Sequence, residues 1–327
     1  MTSSKSKIKV GVLRGGPSGE YEVSLKTGSN VLKNLSPEKY LPKDIFIDRA
    51  GVWHMDGIAR SPEKILAQVD VIFNALHGDF GEDGKVQQLL DTFNVPYTGS
   101  GALASAIVMN KHLSKKIFKK NGLKIAKHEV IRRDDKSDSR LFGVFSHLKK
   151  PLVVKPNTGG SSLGVSIVDN WDNFIKGVDK AFELADSVII EEFIAGREAT
   201  CGVVDSAKTR GEVYALSPIE IIKPQENEFF DYDAKYSGKS QEICPGNFTP
   251  EETTSLQDFS VRAHKALGLK HYSRSDFIIA PNGIYILETN TLPGLTSESL
   301  IPKSLKVGGI DFHEFLDHVL TLAMREK

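Results

Sequence analysis

The stretch 273–290, SRSDFIIAPNGIYILETN, carries a turn signal at its centre. Pro281-Asn282-Gly283 separates two apolar runs, the pattern of a β-hairpin. With those three residues as the loop, Ala280 pairs with Ile284, Ile278 with Ile286, Asp276 with Glu288, and Arg274 with Asn290. Side chains alternate faces along a strand. Arg274, Asp276, Glu288 and Asn290 then share one face at the open end, and Phe277, Ile279, Tyr285 and Leu287 take the apolar opposite face. Two carboxylates and an amide oxygen gathered in this way repel unless a cation sits among them. An all-oxygen donor set favours Mg²⁺ or Mn²⁺ over zinc, and Arg274 is then available for an anion or a developing oxyanion. The plainer alternative is a solvated hairpin with an Arg–Asp pair. A one-residue bulge is expected to break the facing arrangement.

Upstream, Lys155-Pro156-Asn157-Thr158-Gly159-Gly160-Ser161-Ser162-Leu163-Gly164 lies between two strand-like runs. Its glycines let backbone N–H groups approach an anion, and its hydroxyls add donors. It is not a P-loop, because no Gly-Lys-Ser/Thr follows and no helix starts there. The two readings are a flap over phosphates, with Lys155 on the strand before it, and a plain flexible hairpin. Glu191-Glu192-Phe193-Ile194-Ala195-Gly196-Arg197-Glu198 ends another apolar strand and offers carboxylates or a carbonyl to a base and a ribose, or is simply a charged strand end.

The first hundred residues alternate strand and helix signals. Strands are expected at 8–13 and 69–75. A helix capped by Ser24 is expected to run to about residue 35, and another spans 85–93. This is the pattern of a small parallel sheet. Its strand-end loops, 14–22 and 77–84, fall where such sheets bind ligands, which puts Glu22 and His77 at the rim. Residues 94–101 are rich in chain breakers and mark a boundary. A basic helix over 102–121 follows, and strands are expected at 152–155, 163–168, 188–193, 198–204 and 212–222, with a helix at 171–184 among them. A polar stretch, 223–249, reads as a functional excursion loop; helices at 250–267 and 311–325 complete a chain of α/β followed by α+β character.

Composition narrows the function. In 327 residues, Lys+Arg and Asp+Glu both number 42, and the zero net charge argues against a general nucleic-acid or membrane-surface protein. Hydrophobic residues at 40% argue against wholesale disorder. There is no membrane-length apolar run and no apolar core of a secretion signal at the start. The cysteines, Cys201 and Cys244, are too few for a disulfide framework, so a cytoplasmic protein is expected. HExxH, GxSxG and zinc-spaced His/Cys clusters are all missing.

Taken in order, the pieces resemble the D-alanine–D-alanine ligases of the ATP-grasp superfamily. Glu22-Val23-Ser24-Leu25 and Ala75-Leu76-His77-Gly78 with Gly81-Glu82-Asp83-Gly84 resemble the family's N-terminal signatures. Residues 155–164 resemble its flap, Asp233-Ala234-Lys235-Tyr236 its active-site loop, and Arg274-Ser275-Asp276 with Glu288-Thr289-Asn290-Thr291-Leu292-Pro293-Gly294 its metal and oxyanion motifs. The resemblance implies a three-domain ATP-grasp fold with an N-terminal parallel α/β domain (1–100), a central subdomain with the flap (101–192) and a C-terminal subdomain with the lid loop and metal hairpin (193–327). It implies ligation of two D-alanines through an acyl phosphate, for a peptidoglycan precursor. By resemblance, Asp276, Glu288 and Asn290 hold two Mg²⁺ (or Mn²⁺), and Arg274 with the Gly294 N–H stabilises the oxyanion. Lys111, Lys155, Glu191, Ile194 and Glu198 bind ATP, and Glu22 binds the first ammonium. Ser161 and Tyr236 latch the lid, with His77 among the substrate-binding residues, Lys235 at the γ-phosphate, and Ser299 and the Leu300 N–H at the second carboxylate. Thr296 or Ser297 is expected to cap the helix there. The Lys-Tyr pair favours D-alanine over D-serine or D-lactate as second substrate. A homodimer is implied, with ATP and D-alanine as small-molecule partners. A rival of another class is a catalytically silent nucleotide-binding regulator, whose mark would be loss of the metal carboxylates or of the oxyanion arginine.

Overall fold

The computed structural model describes residues 6–222 and 241–325. Three sheets organise it, each drawn from its own stretch of chain. The first stretch contains β1 (Ile8–Gly15), α1 (Tyr21–Asn34), β2 (Tyr40–Ile47), β3 (Trp53–Met55), β4 (Ile58–Ala59), α2 (Pro62–Leu66), β5 (Val71–Asn74) and α3 (Lys85–Thr92). Its sheet runs β4-β3-β2-β1-β5, with β1 parallel to both β2 and β5. Of the parallel core, β1 and β5 are the expected strands, and β2 joins them unannounced by the sequence reading. Val10, Val12, Val71 and Phe73 are wholly buried, as parallel strands covered on both faces require. The antiparallel edge, β3 and β4, carried no strong sequence signal.

Ser24 does not cap α1, which begins three residues earlier. Its hydroxyl accepts from the Gly15 N–H at 2.8 Å and donates to the Ala75 carbonyl at 2.8 Å. It therefore ties together the two strand ends from which the site loops leave. Gly15 has a φ of +91°, and a Cβ there would lie 2.2 Å from the Ile47 carbonyl oxygen, so only glycine fits.

The expected helix over 102–121 is two helices, α4 (Ala102–Met109) and α5 (Lys111–Lys120). Asn110 adopts extended backbone between them, and its side chain accepts from the Leu113 N–H at 3.0 Å, an N-cap that starts α5 afresh. The second sheet follows from β6 (His128–Arg132), β7 (Leu152–Pro156), β8 (Ser166–Val168) and β9 (Ser187–Glu192), in the antiparallel order β6-β9-β7-β8. Helices α6 (Asp138–His147) and α7 (Trp171–Phe182) lend it Leu141, Val144, Phe174 and Val178, buried against Leu152, Val154 and Ile190.

The third sheet, β13-β12-β10-β14-β15, uses β10 (Arg197–Asp205), β12 (Ile219–Ile222), β13 (Gln241–Ile243), β14 (Tyr272–Ala280) and β15 (Gly283–Asn290), and β11 (Val213–Ala215) pairs with β10. The single strand expected at 212–222 is thus β11 and β12. Helix α8 (Pro250–Ala266) starts on a reciprocal Thr249/Glu252 capping box with Pro250 in its first turn. Helix α9 (Leu300–Val307) is preceded by Ser299 rather than by Thr296 or Ser297 as its N-cap residue. The terminal helix α10 (Phe312–Arg325) returns to the first sheet. Its Leu316, Val319 and Leu320 share a core with Val10, Val12 and Phe73.

The hairpin at β14–β15 departs from the expected register in two places that compensate. Ala280 pairs with Gly283, so the loop is Pro281-Asn282 alone, and Phe277 faces Ile286. A bulge then intervenes, after which Asp276 faces Glu288 and Arg274 faces Asn290 as expected. The extra residue is Leu287. The bulge restores the facing arrangement instead of breaking it, because the short loop alone would have put Leu287 opposite Asp276. It also turns Leu287 onto the same side as Glu288. The apolar face accordingly holds Phe277, Ile279, Ile284 and Ile286, and not Tyr285 and Leu287. Phe277 is fully buried there. Phe277→Ala is expected to lower the unfolding free energy of this part of the chain by about 3–5 kcal/mol, measured by chemical denaturation; a loss below about 1 kcal/mol would contradict this packing.

Candidate active site

Arg274, Asp276, Glu288 and Asn290 converge at the open end of the bulged hairpin. Arg274 grips Asp276 with two parallel hydrogen bonds, Nε to Oδ1 and Nη2 to Oδ2, both 2.9 Å. Asn290 Nδ2 donates to Asp276 Oδ2 at 3.1 Å, and the Thr200 hydroxyl donates to Oδ1 at 2.6 Å. Burial disfavours the Arg274 cation, yet Asp276, then Glu288 and Glu82, outweigh that and push its pKa up, so it stays charged. Among the described residues, no hydrogen bond or ion pair engages the Glu288 carboxylate. The donor set is two carboxylates and one amide, without a histidine or cysteine, and one carboxylate is left over for a cation. It fits a hard divalent metal.

Two cavities meet at this face. The larger, about 970 Å³, is lined by His77, Lys111, Ser161, Arg274, Glu288, Asn290, Gly294, Ser299 and Leu300. The smaller, about 300 Å³, is lined by Lys155, Ser161, Glu191, Ile194, Glu198, Asp276 and Glu288, with Ile278 and Leu287 as apolar wall. Lys111, Ser161 and Glu288 border both. Lys235 and Tyr236 lie outside the described residues.

Glu22 is the residue that the structure removes from the site. It points outward from α1, is 69% exposed, and pairs with Arg49 at 3.2 Å. Glu20 lines both cavities instead. The helix starts at Tyr21, so Glu20 sits in the loop beyond β1, and Glu22 is turned about 200° away from it. Sequence reasoning also passed over Glu82. Glu20, His77 and Glu82 bring donor atoms within 4.8 Å of one another. The expected loop 14–22 held Glu20 and Glu22 alike, and only the helix start at Tyr21 separates them.

His77 is buried. Its Nε2 lies 2.9 Å from the Thr27 hydroxyl and its Nδ1 3.0 Å from the Leu292 carbonyl, which joins the first sheet's loops to the segment after β15. Burial opposes its charge, but Glu82, at 3.8 Å, then Glu20 and the Leu292 carbonyl raise its pKa.

On the other side, the flap leaves β7 after Pro156. Asn157 pins it to α5: its carbonyl accepts from the Lys111 N–H at 2.9 Å, and its Oδ1 accepts from the His112 N–H at 3.0 Å. Ser161 and Ser162 both have left-handed φ, +54° and +57°, a strain of roughly 1–2 kcal/mol each of the kind found at ligand-clamping turns. Lys111 donates to the Gly159 carbonyl at 2.5 Å; its burial outweighs the pull of Glu288 and lowers its pKa. Glu191, 3% exposed, lies between Lys115 and Lys155, 3.2 Å from each. Burial alone would raise its pKa, but the two ammonium groups pull it down to about 2. Lys115 is another residue the sequence reading passed over. Beyond β15, a Cβ on Gly294 would meet the Ser299 hydroxyl at 2.9 Å, so glycine lets that hydroxyl close on the chain. The first-turn N–H groups of α9 have no helical partners and open toward the larger cavity.

The chain matches family profiles described as D-ala D-ala ligase N-terminus, over residues 9–65 and 57–100, and D-ala D-ala ligase C-terminus, over 117–321. It is 42% identical over 325 residues to the D-alanine–D-alanine ligase of Syntrophobacter fumaroxidans, covering 99% of this chain and 100% of that one. To the D-alanine–D-alanine ligase of Geobacter sulfurreducens it is 41% identical, covering 96% and 94%. Among solved structures it resembles the VanG D-Ala:D-Ser ligase from Enterococcus faecalis, with a TM-score of 0.85, 31% identity, and 97% and 100% coverage.

The raised pKa of His77 sets a pH test. Because the folded value exceeds the unfolded one, the stabilisation from its charge is complete below about pH 6.5 and is lost as pH rises through the raised value. The melting-temperature gap between wild type and His77→Gln is therefore expected to shrink as pH rises above about 6.5. A constant gap would mean that the imidazole stays neutral.

Proposed function

Since this chain belongs to the D-alanine–D-alanine ligase family, and is an enzyme that uses ATP to join two D-alanines for cell-wall precursor synthesis, we propose how its residues divide that work. The supporting observation is the convergence of Arg274, Asp276, Glu288 and Asn290 on two connected cavities beneath the Ser161 flap. We assign the smaller cavity to the nucleotide. Ile278 and Leu287 sandwich the base, Glu191 and the Ile194 backbone read its edge, and Glu198 takes the ribose. Lys111 and Lys155 take phosphates.

The larger cavity holds the two amino acids. Glu20, in place of Glu22, receives the first ammonium, with Glu82 and His77 behind it. A carboxylate is a poor electrophile, so the first D-alanine is activated: its oxygen attacks the γ-phosphorus, giving an acyl phosphate and ADP. The second amine then attacks the carbonyl carbon, and phosphate leaves. Arg274 and the Gly294 N–H stabilise the oxyanion formed between those events. Ser299 and the Leu300 N–H hold the second carboxylate at the start of α9. Divalent metal on Asp276, Glu288 and Asn290 neutralises the phosphate charge when bound; we assign two Mg²⁺ (or Mn²⁺) ions. Ser161 helps close the flap against water, in concert with Tyr236, and Lys235 reaches the γ-phosphate.

We also propose three structural units, 1–100, 101–192 and 193–327, a homodimer, and a cytoplasmic location. Each of the first and second units contains one sheet, and the third holds the hairpin. No described helix is long and apolar enough to cross a membrane. D-alanine is the proposed second substrate. The similarity to a D-Ala:D-Ser ligase keeps D-serine as the reading to test against it.

Purified protein with ATP, Mg²⁺ and D-alanine is expected to yield D-alanyl-D-alanine, identified by mass; ATP turnover without dipeptide would refute the scheme. With D-serine or D-lactate competing across several pH values, D-alanyl-D-alanine should remain the main product whenever the acceptor amine is deprotonated. Glu288→Ala should lower turnover by about 10²-fold or more while the fold persists. Glu20→Gln should raise the KM for the first D-alanine by about tenfold or more, whereas Glu22→Gln should stay within about twofold of wild type. Equal effects at the two positions would sink the assignment to Glu20.

A further inference from the structure

Lys115 has no part in the scheme above, yet it is one of the most buried charges in the molecule, with 0% exposure. It lies four residues after Lys111 on α5, so the two ammonium groups leave the same helix face. Lys115 Nζ is 3.2 Å from Glu191 Oε1, and Lys155 Nζ is 3.2 Å from Glu191 Oε2. Each carboxylate oxygen therefore has its own cation. The sheet register explains the Lys155 side. Glu191 faces Val153, and Lys155, two residues further along β7, points to the same side.

Two details give Lys115 a task beyond neutralising a charge. Neither Lys115 Nζ nor Glu191 Oε1 makes a hydrogen bond of good geometry, and both atoms are buried, so the pair is held by charge. Glu191 also lines the smaller cavity, whereas Lys115 lines neither cavity. Lys115 is thus placed behind the carboxylate, out of reach of a ligand.

We propose that Lys115 is a positioning residue that sets nucleotide specificity: by holding Glu191 from behind, it keeps that carboxylate ionised and fixed as an acceptor for an amino group on the base. This rests on the assignment of Glu191 to the adenine edge. An ionised carboxylate only accepts hydrogen bonds. Adenine presents an amino group at its six-position, and guanine presents an oxygen there. A charged Glu191 welcomes the first and repels the second. Without Lys115, burial is opposed by Lys155 alone, and the protonated acid, which is able to donate to guanine, gains ground. The other charged or titratable groups around Glu191 are Lys111 on α5, His128 on the neighbouring β6, and Glu288 on β15.

Steady-state kinetics with ATP and with GTP test this in the full chain. Lys115→Met is expected to raise the KM for ATP and to lower the ATP-over-GTP preference, each by about tenfold, with the KM for D-alanine unchanged. Lys115→Arg should retain most of the preference. Glu191→Gln separates the two layers of the argument. If Glu191→Gln lowers the preference but Lys115→Met does not, the proposal fails and the adenine assignment stands. If Glu191→Gln leaves the preference untouched, the adenine assignment itself fails. Should Lys115→Met not fold, the double variant Lys115→Met/Glu191→Gln removes both charges and keeps the packing. It is expected to match Glu191→Gln alone in preference, since Lys115 acts only through that carboxylate. A further fall in the double variant would overturn the proposal.

Discussion

Asp276 and Glu288 face one another across a hairpin, and like charges so placed are repulsive. The site is built around that repulsion. Arg274 absorbs one carboxylate with a bidentate grip, Asn290 and Thr200 also donate to it, and Glu288 stays open to the cavities. The bulge at Leu287 puts the four side chains on one face while the apolar residues further along β14 and β15 stay in the core. One irregular residue thus both aims Glu288 at the cavities and turns Leu287 into the wall of the smaller one.

The same logic of paired, buried charge extends through the cleft. Glu191 sits between two lysines, and Lys111 is buried beside the flap. Such clusters stabilise little and cost much when one partner is removed. Their value lies in electrostatic preorganisation for an anionic substrate, since the positive field is assembled before ligand arrives. Hydrogen bonds between the first stretch of chain and the third hold the walls in place: His77 to the Leu292 carbonyl, Asn30 to the Leu295 carbonyl, and the Gly99 N–H to His271. The return of α10 to the first sheet ties the chain's end to its beginning.

Much of this was legible in the order of residues. The alternation around Pro281-Asn282-Gly283, the Gly/Ser flap and the βα pattern of the first hundred residues are local signals, and the facing of Asp276 with Glu288 was read correctly. It was right for an incomplete reason, since two one-residue differences, a shorter loop and a bulge, cancel. Ser24 illustrates the opposite case: a serine near a helix start suggests a cap, but its hydroxyl is used between β1 and β5. Asn110 breaks a long helical pattern because its side chain serves α5 better than a continuous helix would.

Residue type and spacing sufficed for the family and for the ligation it carries out, because those depend on what groups are present and in what order. Folding alone put Glu20 at the cavities and Glu22 outside them, turned Leu287 into the cleft and put Lys115 behind Glu191. Side-chain direction follows from where a helix starts, where a strand bulges and which helix covers which sheet. Those are outcomes of packing between segments distant in the chain, and no local window of sequence contains them.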